Sequence, residues 1–268
     1  MKRKKNSRAK GMGLPRKYLA YPYVLFLLLF VVMPLVMILV NAFIANGSFT
    51  FGNFVSFFRE SQNMKVLLNS VVIGFLTTAL CLLIGYPVAY FISKYHSKSM
   101  LMLILVLPMW VNFLIRTLAT QALFRKMDFE LGTATLIIGL VYNFLPYMIM
   151  PLTTTLTGID KSYIEAAQDL GADNATVFLK TVLPLSVPGI ISGVTMVFIP
   201  TISTFSISSF LSGSATIVLF GDSIYEKFMH SIYGVGSVMS LVMLAFVLIS
   251  NFFMNKFNAT QKEAKNLW

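Results

Sequence analysis

The sequence carries little charge: Asp, Glu, Lys and Arg make up 12% of its 268 residues, whereas soluble domains average about 25%. It has one cysteine, Cys81, so no disulfide can form within the chain and the thiol is expected to pack. His96 and His230 lie in different predicted loops without cysteines or carboxylates at ligand spacing, which predicts no metal site. No catalytic residues are predicted either, and the chain is not expected to be an enzyme.

A phosphate-binding loop is also missing. No glycine directly precedes a lysine, so the chain lacks the G-x-x-x-x-G-K-[ST] pattern that holds ATP phosphates. The chain itself is therefore expected to bind no cofactor. Any energy taken from ATP would have to come from a partner.

Long uncharged stretches make up most of the sequence, which is 57% hydrophobic with a mean hydropathy of +0.77. A bilayer core about 30 Å thick requires roughly 20 apolar helical residues per crossing. The pattern predicts an all-α integral membrane protein with six transmembrane helices. They span about 18–44, 66–93, 99–124, 133–157, 183–206 and 233–255.

The ends of two of these predicted helices are not fixed by the uncharged stretches alone. The third reaches 124 only if Arg116 lies near its outer end and extends its guanidinium to the headgroups. The fifth uncharged stretch is too long for one helix, so we end the helix near Ser206. Residues 207–220 would then form an extracytoplasmic loop or a shallow re-entrant segment.

The basic residues predict the orientation. Of 21 Lys and Arg residues, eight lie in the amino-terminal tail, 1–17, and seven more lie in segments on the same side of the predicted membrane. Only five lie on the other side. The positive-inside pattern places both tails, 1–17 and 258–268, in the cytoplasm, and it accounts for the net charge of +11 without a nucleic-acid partner.

All ten carboxylates fall in predicted loops or tails. Proton- and sodium-coupled carriers commonly use carboxylates within the membrane, so their absence disfavours a secondary transporter. An ATP-independent carrier or channel stays open as an alternative, because some carriers coordinate ions with carbonyls and hydroxyls.

The cytoplasmic segment between the fourth and fifth helices, 158–182, has a helix-glycine-helix pattern. Ser162 and Glu165 have the spacing of a capping box at a helix start. Gly171 would end that helix in the left-handed conformation. Asp173 or Asn174 would cap a second short helix. The next membrane span would then begin at Pro184, where a missing amide has little effect.

On the first short helix, Ala166 and Ala167 are small, whereas Ile164 and Leu170 are large. Small side chains allow another surface to approach closely, which suggests a docking element. An amphipathic connector on the membrane surface would fit the same pattern.

The segment resembles the cytoplasmic EAA loop of ABC importer permeases. That pattern is E-A-A, three residues, Gly, nine residues, Ile, one residue, Leu-Pro, and Thr181 stands here in place of the isoleucine. The resemblance implies that the loop docks into a cytoplasmic ATPase. The coupling residues it implies are Glu165, Ala166, Ala167, Asp169, Gly171, Leu183 and Pro184.

Further segments, 107–124, 137–152 and 165–172, resemble the first of two permease subunits in spermidine/putrescine importers. The resemblance implies a second permease subunit, two ATPase copies carrying ATP and magnesium, and an external substrate-binding protein. It also implies a bacterial inner membrane. An ABC permease for a different small solute remains an alternative.

Aromatic and amide side chains near Pro108 and Pro146 are candidates for the path of a cationic substrate, because aromatic faces attract cations. They are Trp110, Asn112, Tyr142, Asn143 and Tyr147. The same aromatics could instead pack or anchor at the membrane interface. Asp222 and Glu226 in the last external loop either receive cationic substrate or are solvated loop charges.

Overall fold

The computed structural model describes residues 16–45, 47–95, 97–213 and 217–265. It confirms the predicted all-α fold: apart from a hairpin of two-residue strands, β1 (Ile44–Ala45) and β2 (Ser48–Phe49), its regular structure is helical. Within the described residues, five helices are long and apolar enough to cross a membrane, and a sixth span results if one bent pair is counted together.

The first span combines α1 (Arg16–Leu27), a π-helical turn (Leu28–Val32) and α2 (Met33–Phe43). Pro34 has no amide to donate to the turn before it, and the wider π turn ends two residues earlier. The span packs along the last helix and is otherwise exposed. It leads through the hairpin into α3 (Gly52–Arg59).

Three helices form the centre of the bundle: α4 (Ser61–Lys94), α7 (Thr133–Thr157) and α10 (Leu183–Ser203). Cys81 is fully buried there, as expected of a packing residue. Glycine permits the close approach of α10 to α7, because a Cβ added at Gly193 would lie 3.2 Å from the Met148 carbonyl oxygen. The last helix, α13 (Tyr233–Lys265), packs against α10 and α2.

The third span is broken, whereas the sequence predicted one helix. It consists of α5 (Lys98–Val106), a 3-10 turn (Leu107–Trp110) and α6 (Phe113–Lys126), with a bend of 90°. Pro108 lies in the turn, and the Asn112 side chain accepts a hydrogen bond from the Leu114 amide at 2.9 Å to start α6. A new N-cap in mid-span favours a second helix over continuation of the first.

Residues after α10 also differ from the predicted loop. The helix ends at Ser203, Ser206 has a left-handed φ of 73°, and a short helix, α11 (Ile207–Leu211), packs against α6 and α7. A further helix, α12 (Phe220–Met229), precedes α13. The predicted tail 258–268 is likewise helical as far as Lys265, because α13 continues without interruption.

We call the end of the bundle that carries residues 158–182 the loop end, and the opposite end the far end. The loop end holds α8 (Lys161–Asp169) and α9 (Asn174–Val177). The far end holds α11, α12 and the starts of α4 and α7. The candidate functional residues are distributed between these ends and the break in the third span.

Candidate functional site

Helix α8 begins differently from the prediction. Its N-cap is Asp160, whose carboxylate accepts a hydrogen bond from the Ser162 amide at 2.9 Å. That bond is the main reason why the pKa of Asp160 lies below its ordinary value. The capping box of Ser162 and Glu165 is therefore wrong: the aspartate two residues earlier takes the role, and Glu165 is left free of the cap.

The glycine prediction is confirmed. Gly171 has a φ of +83°, and its amide donates to the Gln168 carbonyl at 2.8 Å. The Ala172 amide donates to the Ala167 carbonyl at 3.1 Å. These two bonds form the Schellman pattern that ends a helix and satisfies its last carbonyls.

The N-cap of α9 is Asp173, which is one of the two residues predicted for that position. Its carboxylate accepts from the Thr176 amide at 3.2 Å, and hydrogen bonding to Thr176 lowers its pKa. Pro184 lies in the first turn of α10, but it does not follow a break in the chain of helices. Residues Asn174–Ser203 form one continuous helix that includes a π turn at Phe178–Val182, which precedes the proline just as the π turn of the first span precedes Pro34.

The coupling candidates divide by exposure. Glu165, Ala166, Asp169, Gly171 and Pro184 are exposed. Ala167 and Leu183 are half-buried and pack against the central hydrophobic cluster, as Ile164 does. Helix α8 thus attaches to the bundle by one apolar face and presents two carboxylates and a small alanine on the other.

A cavity of about 770 Å³ with both polar and apolar lining lies beside α8 at the loop end. Lys94, Lys98 and Lys161 contribute to its lining together with Glu165 and Gln168. Lys94 also lies 4.4 Å from the centre of the Tyr90 ring. This end of the bundle therefore combines lysines with the carboxylates of α8.

The break in the third span brings several path candidates together around Arg116. The predicted extension of Arg116 to the headgroups is wrong, because its side chain is buried, with 9% exposed. Its Nε donates to Asn143 Oδ1 at 2.8 Å and an Nη donates to the Pro108 carbonyl at 3.0 Å. The guanidinium carbon lies 5.6 Å from the centre of the Tyr142 ring. The Pro108 carbonyl, which also accepts from the Val111 amide at 3.2 Å, and the Asn143 amide on α7 thus hold the cation inside.

Two cavities are lined in part by Arg116. One of about 330 Å³ is lined by Arg116, Asn143, Tyr147, Ser203 and Thr204 among others. The other, of about 430 Å³, is lined by Arg116, Thr120 and Tyr142 with apolar neighbours. Tyr142, Asn143 and Tyr147 therefore lie around one centre.

The other path candidates lie apart from it. Trp110 is 82% exposed, and the side chain of Asn112 is used as the α6 cap. The sequence analysis did not place Arg116 with Tyr142 and Asn143. The signal that could have done so is a single charge within an apolar stretch, which is a reason to suspect a functional position.

Asp222 is not a solvated loop charge. It lies on α12 with 4% of its surface exposed. Helix α12 is not one of the candidate spans, and the candidate spans contain no Asp or Glu, as predicted. Asp222 accepts hydrogen bonds from the Ser206 amide at 2.5 Å, the Leu219 amide at 3.2 Å and the Ser208 hydroxyl. Burial raises its pKa, against the lowering effect of these bonds. Glu226, one turn later, is exposed.

No group of three or more His, Cys, Asp or Glu residues is arranged to hold a metal ion in the part of the chain that the structure describes. His96 lies outside the described residues, so the prediction for its loop stays a prediction.

Residues 97–262 match the family described as binding-protein-dependent transport system inner membrane component. The spermidine/putrescine transport system permease protein PotB of Haemophilus influenzae is 32% identical over 86% of this chain and 90% of its own length. PotC of the same organism, also a spermidine/putrescine transport system permease protein, is 24% identical over 89% of this chain and 96% of its own.

A solved structure has the same fold. It is a bacterial ABC transporter involved in the import of the acidic polysaccharide alginate, with a TM-score of 0.69 and 16% identity. The alignment covers 90% of this chain and 96% of the other.

Proposed function

This chain belongs to the family of binding-protein-dependent transport system inner membrane components, and from that premise we propose that it is the permease subunit of an ATP-driven importer of polyamines. It is a multi-pass membrane protein of a transport family. The substrate rests on its similarity to PotB, which extends over most of both chains.

The exposed face of α8 would couple transport to ATP hydrolysis. Glu165, Ala166 and Asp169 face outward, while Ile164 and Ala167 fix the helix to the bundle. A partner bound to this face would pull on α9 and on α10, which is continuous with α9. Closure of two ATPase copies around ATP and magnesium could thus move the span and switch the access of the path.

A second permease subunit and a substrate-binding protein complete the proposed assembly. The chain is similar to both PotB and PotC of one organism, which supports a pair of related permeases. The family description itself names dependence on a binding protein. With the loop end in the cytoplasm of a bacterial cell, as the basic residues predict, the far end would face that protein.

The path would pass Tyr142, Asn143 and Tyr147, which line the two cavities around Arg116. Asp222 is unsuited to receive substrate, because internal donors already occupy its oxygens. Selection of the polyamine would then occur mainly in the binding protein. The permease would offer a transient passage.

Uptake of labelled spermidine by cells that lack this chain, with and without its restoration, tests the proposal. The variant Glu165→Arg reverses a charge on the proposed docking face, and Glu130→Arg makes the same change on an exposed far-end residue. We expect the wild-type chain to restore uptake and Glu165→Arg to lose both uptake and ATPase association. Glu130→Arg, on the opposite end of the bundle, should keep ATPase association.

Different failures have different meanings. If the wild-type chain restores no uptake of spermidine or putrescine, the substrate is wrong and other small solutes should be tested. If Glu165→Arg transports normally, the coupling role of α8 is wrong. Uptake that survives ATP depletion but stops with the ion gradient would indicate a secondary transporter.

A further inference from the structure

Arg116 carries a buried positive charge that no carboxylate neutralises within the residues that the structure describes. The acceptors that hold it are the Asn143 amide oxygen and the Pro108 carbonyl, and its aromatic neighbour is Tyr142. The ion pair found among these residues lies elsewhere, between Lys227 and Glu60. Arginine keeps its charge in proteins, so the guanidinium is a fixed cation.

Such a cation is costly to bury without an opposite charge. Ionisable groups within membrane helices are rare and usually serve the path of an ion or substrate. A neutral glutamine or methionine could pack at this point of α6 at lower cost. The buried charge of Arg116 is therefore better explained by a role in transport than by packing alone.

The groups that hold the guanidinium are those that would bind a substrate ammonium. Aromatic faces and amide oxygens attract either cation. The Tyr142 ring lies 5.6 Å from the guanidinium carbon, and Asn143 Oδ1 lies 2.8 Å from Nε. Arg116 thus occupies the site that Tyr142 and Asn143 would otherwise offer to a polyamine.

We propose that Arg116 is a specificity-determining residue that limits how tightly the permease retains a polyamine, by occupying Tyr142 and Asn143 and by repelling the amines that enter the two adjoining cavities. This inference rests on the proposed polyamine transport. A transporter gains from weak binding along its path, because tightly held substrate is released slowly. Repulsion grows with the number of substrate charges, so spermidine is affected more than putrescine.

The test uses the complete transporter, reconstituted in nanodiscs with its second permease and ATPase but without the binding protein. Retained labelled spermidine and putrescine are measured for the wild type and for Arg116→Gln, Arg116→Met and Arg116→Lys. We expect the two neutral variants to retain spermidine about tenfold more tightly and putrescine less so. Arg116→Lys keeps the charge and hence the repulsion but not the guanidinium's paired bonds, so its retention should lie closer to the wild type than to the neutral variants.

A second change identifies the binding groups. Adding Asn143→Leu to Arg116→Gln removes the amide acceptor and should reverse most of the gain in retention. In cells, Arg116→Gln should lower the maximal rate of spermidine uptake while lowering the concentration that gives half of it. A merely structural role would lower the rate and the yield of assembled transporter without that second change.

Two results would overturn the inference. One is unchanged retention in an assembled neutral variant. The other is equal loss of assembly in the Gln, Met and Lys variants. That result would show that Arg116 has a structural role, linking α6 to α7 and to the 3-10 turn. If the wild-type transporter moves no polyamine at all, the proposed function fails first, and the retention data are not needed to show it.

Discussion

The segments at the two ends of the bundle are held in different ways. At the loop end, residues 158–182 are organised by bonds between near neighbours: Asp160 to Ser162, Asp173 to Thr176, and Ala172 to Ala167. At the far end, residues 204–213 and 217–222 are tied to positions distant in sequence, including a bond from the Phe220 amide to Ser70 Oγ at 2.7 Å.

The contrast indicates which segment has a surface available to a partner. Local caps shape α8 and α9 but leave most of α8 exposed, so this segment can bind a partner without first breaking long-range contacts. The far-end segment contributes Ile207, Leu211, Leu219 and Phe220 to the hydrophobic clusters. It should open only with the loss of buried contacts.

The largest loss of local stability is expected at the far end, for Asp222→Ala. It would leave the Ser206 and Leu219 amides and the Ser208 hydroxyl without their buried acceptor. Unsatisfied buried donors each cost about 1–3 kcal/mol, so we expect the opening free energy of residues 204–213 and 217–222 to fall by about 3 kcal/mol. Hydrogen exchange of these residues in the assembled transporter measures it.

The control for this change is Glu226→Gln on the same helix, which should leave exchange unchanged because Glu226 is exposed. Equal protection in Asp222→Ala and wild type would show that the far end does not depend on its buried carboxylate.

A smaller loss is expected for Ser70→Ala. Ser70 is fully buried, and its hydroxyl accepts from the Phe220 amide while donating to the Val66 carbonyl at 2.8 Å. Losing the acceptor should reduce far-end protection by about 1–2 kcal/mol. Ser240→Ala, which removes a hydroxyl bonded only within its own helix, should have little effect. Similar losses in both variants would refute the long-range tie.

At the loop end, Gly171→Ala should act through backbone conformation alone. Its φ is +83°, yet a Cβ there would meet nothing within 4 Å. The left-handed conformation costs an alanine roughly 1 kcal/mol, so we expect faster exchange in α8 and weaker ATPase binding. Gly158→Ala, at a φ of −83°, is the matched change and should be silent; a loss there as large as at Gly171 would contradict the explanation.

The smallest expected effect is that of pH on the stability of the first turns of α8 and α9. The pKa values of Asp160 and Asp173 are lowered by their capping bonds, so each carboxylate stabilises its helix start above the unfolded pKa, about 3.9. That contribution is lost as pH falls through the lower folded pKa. Exchange of the Ser162 and Thr176 amides, corrected for its intrinsic pH dependence, should rise below about pH 4 and should not do so in Asp160→Asn and Asp173→Asn.

The sequence predicted the local features well and the long-range ones poorly. Gly171 and Asp173 were predictable because a left-handed position and an N-cap depend on residues a few places away. Asp160 was missed because Ser162 offered a competing cap pattern nearby. Arg116 and Asp222 were misplaced because their partners, Asn143 and Ser206, come from other elements.

The sequence by itself determined that the chain spans a membrane, since the length of its uncharged stretches matches the bilayer, and it determined the helix-glycine-helix form of 158–182. Only the tertiary structure decided that the third span bends by 90°, that Asp222 is buried and that Arg116 lies among Tyr142, Asn143 and Pro108. A charged side chain goes where acceptors can compensate its loss of water, and packed helices supply those acceptors from positions far apart in the chain.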